Sequence, residues 1–132
     1  MKDSFEDKAA SFGILCLRVL FGAGLAYHGA LKIFGGKMDG FVKGVAALGF
    51  PMPEFFAWSA VLSEFAGGIL IVLGLYTRQA AFFAAVTMGV AVFVRHAQDP
   101  FAVKELAAAY GTAAMALVLT GPGRFSLDRR GH

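Results

Sequence analysis

One cysteine in 132 residues, Cys16, excludes an intramolecular disulfide and a C-x-x-C redox pair, so thiol chemistry here would need a partner chain. Charged side chains make up only 16% of the sequence, too few to clothe the surface of a soluble domain. The net charge is +3, and the basic residues fall mostly between or beyond the apolar runs. That placement suits loops at anionic headgroups and argues against a nucleic-acid partner. No glycine-rich nucleotide fingerprint occurs, and no nucleophile stands beside a matching base; Ser63 and Cys16 read as packing residues. The histidines lack the close spacing of a metal site. His28 and His96 would lie on different helices as axial haem ligands do, but nothing else in the sequence supports haem.

What the chain has in abundance is apolar length. It is 58% hydrophobic with a mean hydropathy of +0.66, which places it among membrane proteins. Four runs, about 12–34, 55–75, 80–96 and 100–120, are each long enough as helices to approach or cross a hydrocarbon core of roughly 30 Å. The first is longer than a signal-peptide core. It is interrupted by Arg18 and preceded by the acidic Asp3, Glu6 and Asp7, so it is read as a retained helix after a polar leader on the membrane surface. Between the first two runs, Phe41, Val45 and Leu48 recur at helical spacing, which predicts a short interfacial helix over about 39–49, either a lid or a connector.

A tight turn at 76–79 makes the second and third spans antiparallel neighbours, Asp99-Pro100 reads as the start of the fourth helix, and Gly121-Pro122-Gly123 ends it. Small residues at Ala81, Ala85 and Gly89 offer a face for close helix packing. The expected fold is an all-α membrane protein, a single domain over 1–132, built as a four-transmembrane-helix up-down bundle with both termini on one side. A slight excess of basic residues on that side favours termini in the cytoplasm.

Glu64 is the one ionisable residue in the run 55–75 and falls near its middle, where an unpaired carboxylate costs a few kcal/mol. Gly67 and Gly68 follow it and admit a neighbouring helix. Counting about 1.5 Å per residue from the terminus side puts Arg18 about 9 Å deep, Glu64 about 16 Å and His28 about 24 Å. A long arginine spans the first gap, so Arg18 is the expected partner of Glu64, either tuning a site or only fixing helix register. Lys32 and Arg18 read equally as residues that snorkel to the interface. His28, Lys32, Arg95, His96 and Glu105 fall toward the opposite side as a proton-transfer site, a metal site or a salt-bridged rim.

The ordered set Arg18-x-x-x-Gly22, His28-Gly29-x-x-Lys32, Leu48-Gly49-x-Pro51-x-Pro53, Glu64-x-x-Gly67-Gly68, Leu73-Gly74-x-x-Thr77-Arg78, Glu105 and Gly121-Pro122-Gly123-x-x-Ser126-Leu127-Asp128 resembles the DoxX family over residues 18–128. The resemblance implies a four-helix protein of the bacterial inner membrane, of a kind often labelled an oxidoreductase. It is similar to the membrane subunit of thiosulfate:quinone oxidoreductases and to proteins linked to oxidative-stress resistance. On that basis the chain is expected to be a membrane subunit of an oxidoreductase or thiol-redox system, not catalytic alone. Glu64 and His28 would serve as proton relay or quinone contacts, with Arg18 tuning Glu64 and Glu105 and Tyr110 as further cofactor contacts. A soluble or peripheral partner would bring the electrons, and a homo-oligomer is a further expected assembly in the lipid bilayer. Two rivals stay open: a small proton-coupled exporter using Glu64, and a non-catalytic assembly or lipid-binding subunit.

Overall fold

In the computed structural model, which describes residues 3–130, every regular element among the described residues is helical. Helix α1 spans Asp3–Phe34, α2 Met38–Ala47, α3 Pro53–Leu73, α4 Thr77–Val90, α5 Phe101–Thr120 and α6 Leu127–Arg130, with a π-helical turn at Ala91–Arg95 continuing α4. Four of these are long and apolar enough to cross a membrane, and α2 is the short helix expected between the first two spans. The chain is thus the all-α, four-span up-down bundle that its hydropathy predicts.

Differences lie at the ends of elements. The polar leader is not a separate surface segment, because Asp3–Phe34 is one helix of 32 residues, about 48 Å long. Its first turns exceed the hydrocarbon thickness and are held to the other end of the chain, where Asp7 pairs with Arg124 and Ser11 Oγ accepts the Arg124 backbone N–H at 3.4 Å. Asp99 is not the cap of α5: its carboxylate lies 2.7 Å from His96 Nδ1, and α5 begins after Pro100. The His96 N–H reaches the Ala91 carbonyl, the i to i+5 bond of a π turn.

Packing divides the bundle into two pairs. The most extensive helix contact is α1 with α3, the next α4 with α5. Glycine makes the first pair possible. A Cβ on Gly68 would sit 2.5 Å from the Gly22 carbonyl oxygen, and one on Gly29 would sit 2.7 Å from the Phe65 nitrogen, so the two backbones touch. In the second pair Ala80, Ala81, Ala84 and Met88 are buried, and a Cβ on Gly111 would lie 3.4 Å from Met88 Cβ, whereas one on Gly89 would meet nothing within 4 Å. The core built by Phe21, Ile71 and Leu117 fills the half of the bundle nearer the termini, with Leu25 and Met88 at its far margin.

Arg18 locks that half. It is 1% exposed, and its Nε donates to the Ile71 carbonyl at 3.1 Å, Nη2 to Val72 at 3.2 Å, and Nη1 to Pro122 at 2.7 Å and Phe125 at 2.8 Å. The guanidinium fork thus joins the carbonyls at the end of α3, where Ile71 also accepts the Gly74 N–H at 3.1 Å, to the loop after α5. Asp128 completes the joint by accepting the backbone N–H of Tyr76 at 2.7 Å and of Thr77 at 3.0 Å, capping α4 from another segment. Gly74, at φ 72°, turns the chain from α3 to α4 where a Cβ would strike Ser126.

Gly68→Ala is expected to lower stability by roughly 1–3 kcal/mol by forcing the α1 and α3 backbones apart. Arg18→Lys should also destabilise, since one ammonium cannot reach four carbonyls in the geometry of a guanidinium. Thermal unfolding in detergent checks both, and an unchanged midpoint would contradict the contact in question.

Candidate functional site

Away from the Arg18 joint the two helix pairs part, and a cavity of about 480 Å³ opens between them. Most of its wall is apolar, contributed by residues such as Leu25, Val45, Met88 and Leu106. Its polar groups are few and come from separate elements. His28 and Lys32 line it from α1, Ser63 and Glu64 from α3, Thr87 from α4, and Tyr110 from α5. Arg95, which ends the π turn, and His96 just after it also line the cavity.

Lys32 and Glu64 form the central contact. Lys32 Nζ lies 3.1 Å from Oε1 and 3.0 Å from Oε2 of Glu64, with the carboxylate side chain 6% exposed and the lysine 25%. The ammonium also lies 4.4 Å from the centroid of the Phe41 ring, so one cation ties α1 to α3 and to α2. Beside the pair, Thr87 Oγ1 donates to the Phe83 carbonyl at 2.9 Å and approaches Ser63 Oγ at 3.4 Å across the α3–α4 seam. Tyr110 reaches α1 from the other side: its hydroxyl occupies the space left by the missing side chain of Gly24, and its ring stands edge-on to Phe21 and His28 at 5.3 and 6.0 Å.

This arrangement corrects the expected Arg18–Glu64 pair. Gly22 lies against Gly68 and Val72, and Gly29 against Phe65, which sets Glu64 level with about residue 28 of α1. That is ten residues, about 15 Å, beyond Arg18. Helical side chains also lean toward their own N-terminus, so Arg18 points away from Glu64, whereas Lys32 and Glu64 lean toward one another across antiparallel helices. Arg18 consequently does not line the cavity.

Glu105 is not among the residues that line this cavity. Val103, Leu106 and Tyr110 share the face of α5 that lines the cavity, and Glu105 lies about 140° around the helix from Tyr110, exposed. Glu64, His28 and Tyr110 are brought together as cavity-lining groups. The sequence reads Lys32 as a snorkelling lysine or as part of a polar set with His28, Arg95, His96 and Glu105, not as the partner of Glu64; its position four residues after His28, on the same face, is the signal for that place. Among the described residues no group of three or more His, Cys, Asp or Glu converges as a metal site.

The sequence model of the DoxX family matches residues 13–97. The chain belongs to the DoxX family. It is 42% identical to the inner membrane protein YphA of Escherichia coli over 105 residues, covering 70% of this chain and 72% of that protein. An uncharacterised protein of Haemophilus influenzae is 33% identical over 94% of both chains. CatD of Bacillus subtilis, whose name gives it provisionally as an oxidoreductase, is 32% identical over 72% of this chain and 68% of its own. No solved structure matches this chain with significance. With four spanning helices and inner-membrane relatives, this DoxX protein is a multi-pass inner membrane protein.

The Lys32–Glu64 contact in this DoxX chain yields a measurable coupling. Removing one partner leaves the other charge in a largely apolar wall, so Lys32→Gln and Glu64→Gln should each destabilise, and the double variant should lose less than the sum by about 1 kcal/mol. A double-mutant cycle on thermal unfolding measures this, and additive losses would contradict the pair.

Proposed function

We propose that this protein is the quinone-binding membrane subunit of an oxidoreductase, with the ring held in the cavity between the two helix pairs. The observation that carries this reading is the Lys32–Glu64 pair set in the wall of an otherwise apolar cavity of about 480 Å³, within the 300–1,000 Å³ usual for small-molecule sites. The donor set suits the ligand. A quinone presents two carbonyl acceptors on a flat apolar ring, and Lys32 and His28 from α1 and Tyr110 from α5 are donor residues on the cavity. Once bound, a quinone accepts two electrons and two protons, its two carbonyls becoming hydroxyls. Glu64 and His28 hold and pass the protons, Lys32 keeps the carboxylate in place, and the apolar walls exclude water from the ring.

The electrons come from a partner protein carrying a dithiol or a reduced flavin, because the chain has a single cysteine and no nucleotide fingerprint. We place the termini in the cytoplasm on the small excess of basic residues at that end, which turns the α2 side of the cavity outward. A cation already seated on Glu64 opposes binding of cationic compounds, which weighs against the exporter reading.

Purified protein in nanodiscs, titrated with short-chain ubiquinone and menaquinone analogues by equilibrium dialysis, should bind saturably. Glu64→Gln and Lys32→Gln are expected to weaken binding at least tenfold while Glu105→Gln leaves it within twofold. Saturable binding by none of the folded forms would remove the quinone reading and put a proton-coupled exporter or a non-catalytic assembly subunit in its place.

A further inference from the structure

The face of α5 that looks into the bundle changes character along its length. Val103, Leu106, Tyr110, Ala114 and Leu117 follow one another at spacings of three and four residues and so form a single stripe. At the terminus end Ala114 and Leu117 are 0% exposed, closed against the core. At the other end Leu106 is 51% and Val103 54% exposed, although both line the cavity. The facing stripe of α1 behaves in the same way, since Phe21 and Leu25 are buried while His28 and Lys32 are only partly so.

The two helices therefore touch below Tyr110 and part above it. Tyr110 is the sill, its hydroxyl seated against Gly24 and its ring against Phe21 and His28. From Tyr110 to Phe101 the gap extends over nine residues, about 14 Å, roughly half the hydrocarbon thickness.

The other margins of the cavity are crossed by contacts. Ser63 and Thr87 meet across the α3–α4 seam, and Lys32 on Phe41 fastens α2 to α1. The Arg95 guanidinium lies in the space above Gly44 of α2. Phe83 and Val86 also line the cavity and are 61% and 51% exposed, but the Ser63–Thr87 contact crosses that α3–α4 side, whereas no side-chain hydrogen bond among the described residues crosses the α1–α5 gap that leads from lipid to Lys32 and Glu64.

We infer that the cavity takes its ligand from the bilayer through this α1–α5 window, and that the ligand is a long-tailed amphiphile, a polyprenyl quinone whose tail rests on Val103 and Leu106. The head group rests on the quinone reading given above; the window does not. A hydrocarbon chain fits the opening, whereas a helix of about 10 Å diameter cannot follow it down to a sill where the rings stand 6.0 Å apart. The lining next to the opening carries no charge until Lys32, so the tail stays in an apolar setting while the ring reaches the pair.

A bilayer acyl chain serves as a stand-in for the tail and tests the window without any quinone. Ala107 lines the cavity behind Leu106, and Trp58 is the sole tryptophan, on the lipid side of α3 and 42% exposed. The chain carrying Trp58→Phe and Ala107→Trp is placed in nanodiscs with phosphatidylcholine brominated on its acyl chains, and its fluorescence quenching is compared with that of Trp58 in the unaltered protein. The expected result is a quenched fraction within twofold of that for Trp58. A smaller fraction overturns the window, whether because the helices close or because a second copy covers the gap. Should the Ala107 variant not fold, Leu106→Trp in the same background carries the same reading. The short-chain quinone titration tests the head site independently, so a closed window and an absent quinone site give different patterns.

Discussion

The backbone contact between α1 and α3 sets the geometry of everything else. Gly22 and Gly68 bring the two helices to a separation that no side chain at either position would allow, and Gly29 against Phe65 continues the approach. Contact at two points along the pair fixes its register as well as its spacing. The register then decides which polar groups meet, because a group on a helix can reach only about one turn along its neighbour. Lys32 and Glu64 fall level with each other, and Arg18 falls level with the end of α3.

From that constraint the two halves of the bundle acquire different roles. At the terminus end Arg18, Asp128 and the glycine turns satisfy backbone groups left over where α3 ends and α4 begins, and the small residues of α4 let the core close around them. At the other end bulkier side chains, the π turn and the short helix α2 hold the pairs apart. A membrane protein gains little from driving apolar helices together inside lipid, so an open half is tolerated where contacts at the closed half already fix the fold. The cavity is thus a consequence of where close packing stops, and its wall holds the Lys32–Glu64 ion pair between α1 and α3.

The functional reading proposed for this DoxX protein rests on that asymmetry. A carboxylate and an ammonium in contact line the same cavity as an imidazole and a phenol, and this is the set on which the proposed ligand reading rests. The resemblance read from the ordered motifs and the family match over residues 13–97 agree on the family. Several of those motif residues serve the closed end: Arg18, Gly74, Ser126 and Asp128 build the joint, and Glu64 and Lys32 face the cavity.

The sequence by itself determined the class of solvent, the number of spanning helices, their alternating direction and the importance of a lone carboxylate in the second span. Each of these depends on composition, on local periodicity or on turn residues, which act over a few positions. Only the tertiary structure decided the partner of Glu64, the exclusion of Glu105, the service of Arg18 to backbone carbonyls and the place of Tyr110 at a seam. Counting depth from the ends of hydropathy runs treats the helices as starting at one level, whereas glycine contacts offset α1 against α3 by several residues. The direction in which each side chain leans then turned that offset into the choice between arginine and lysine.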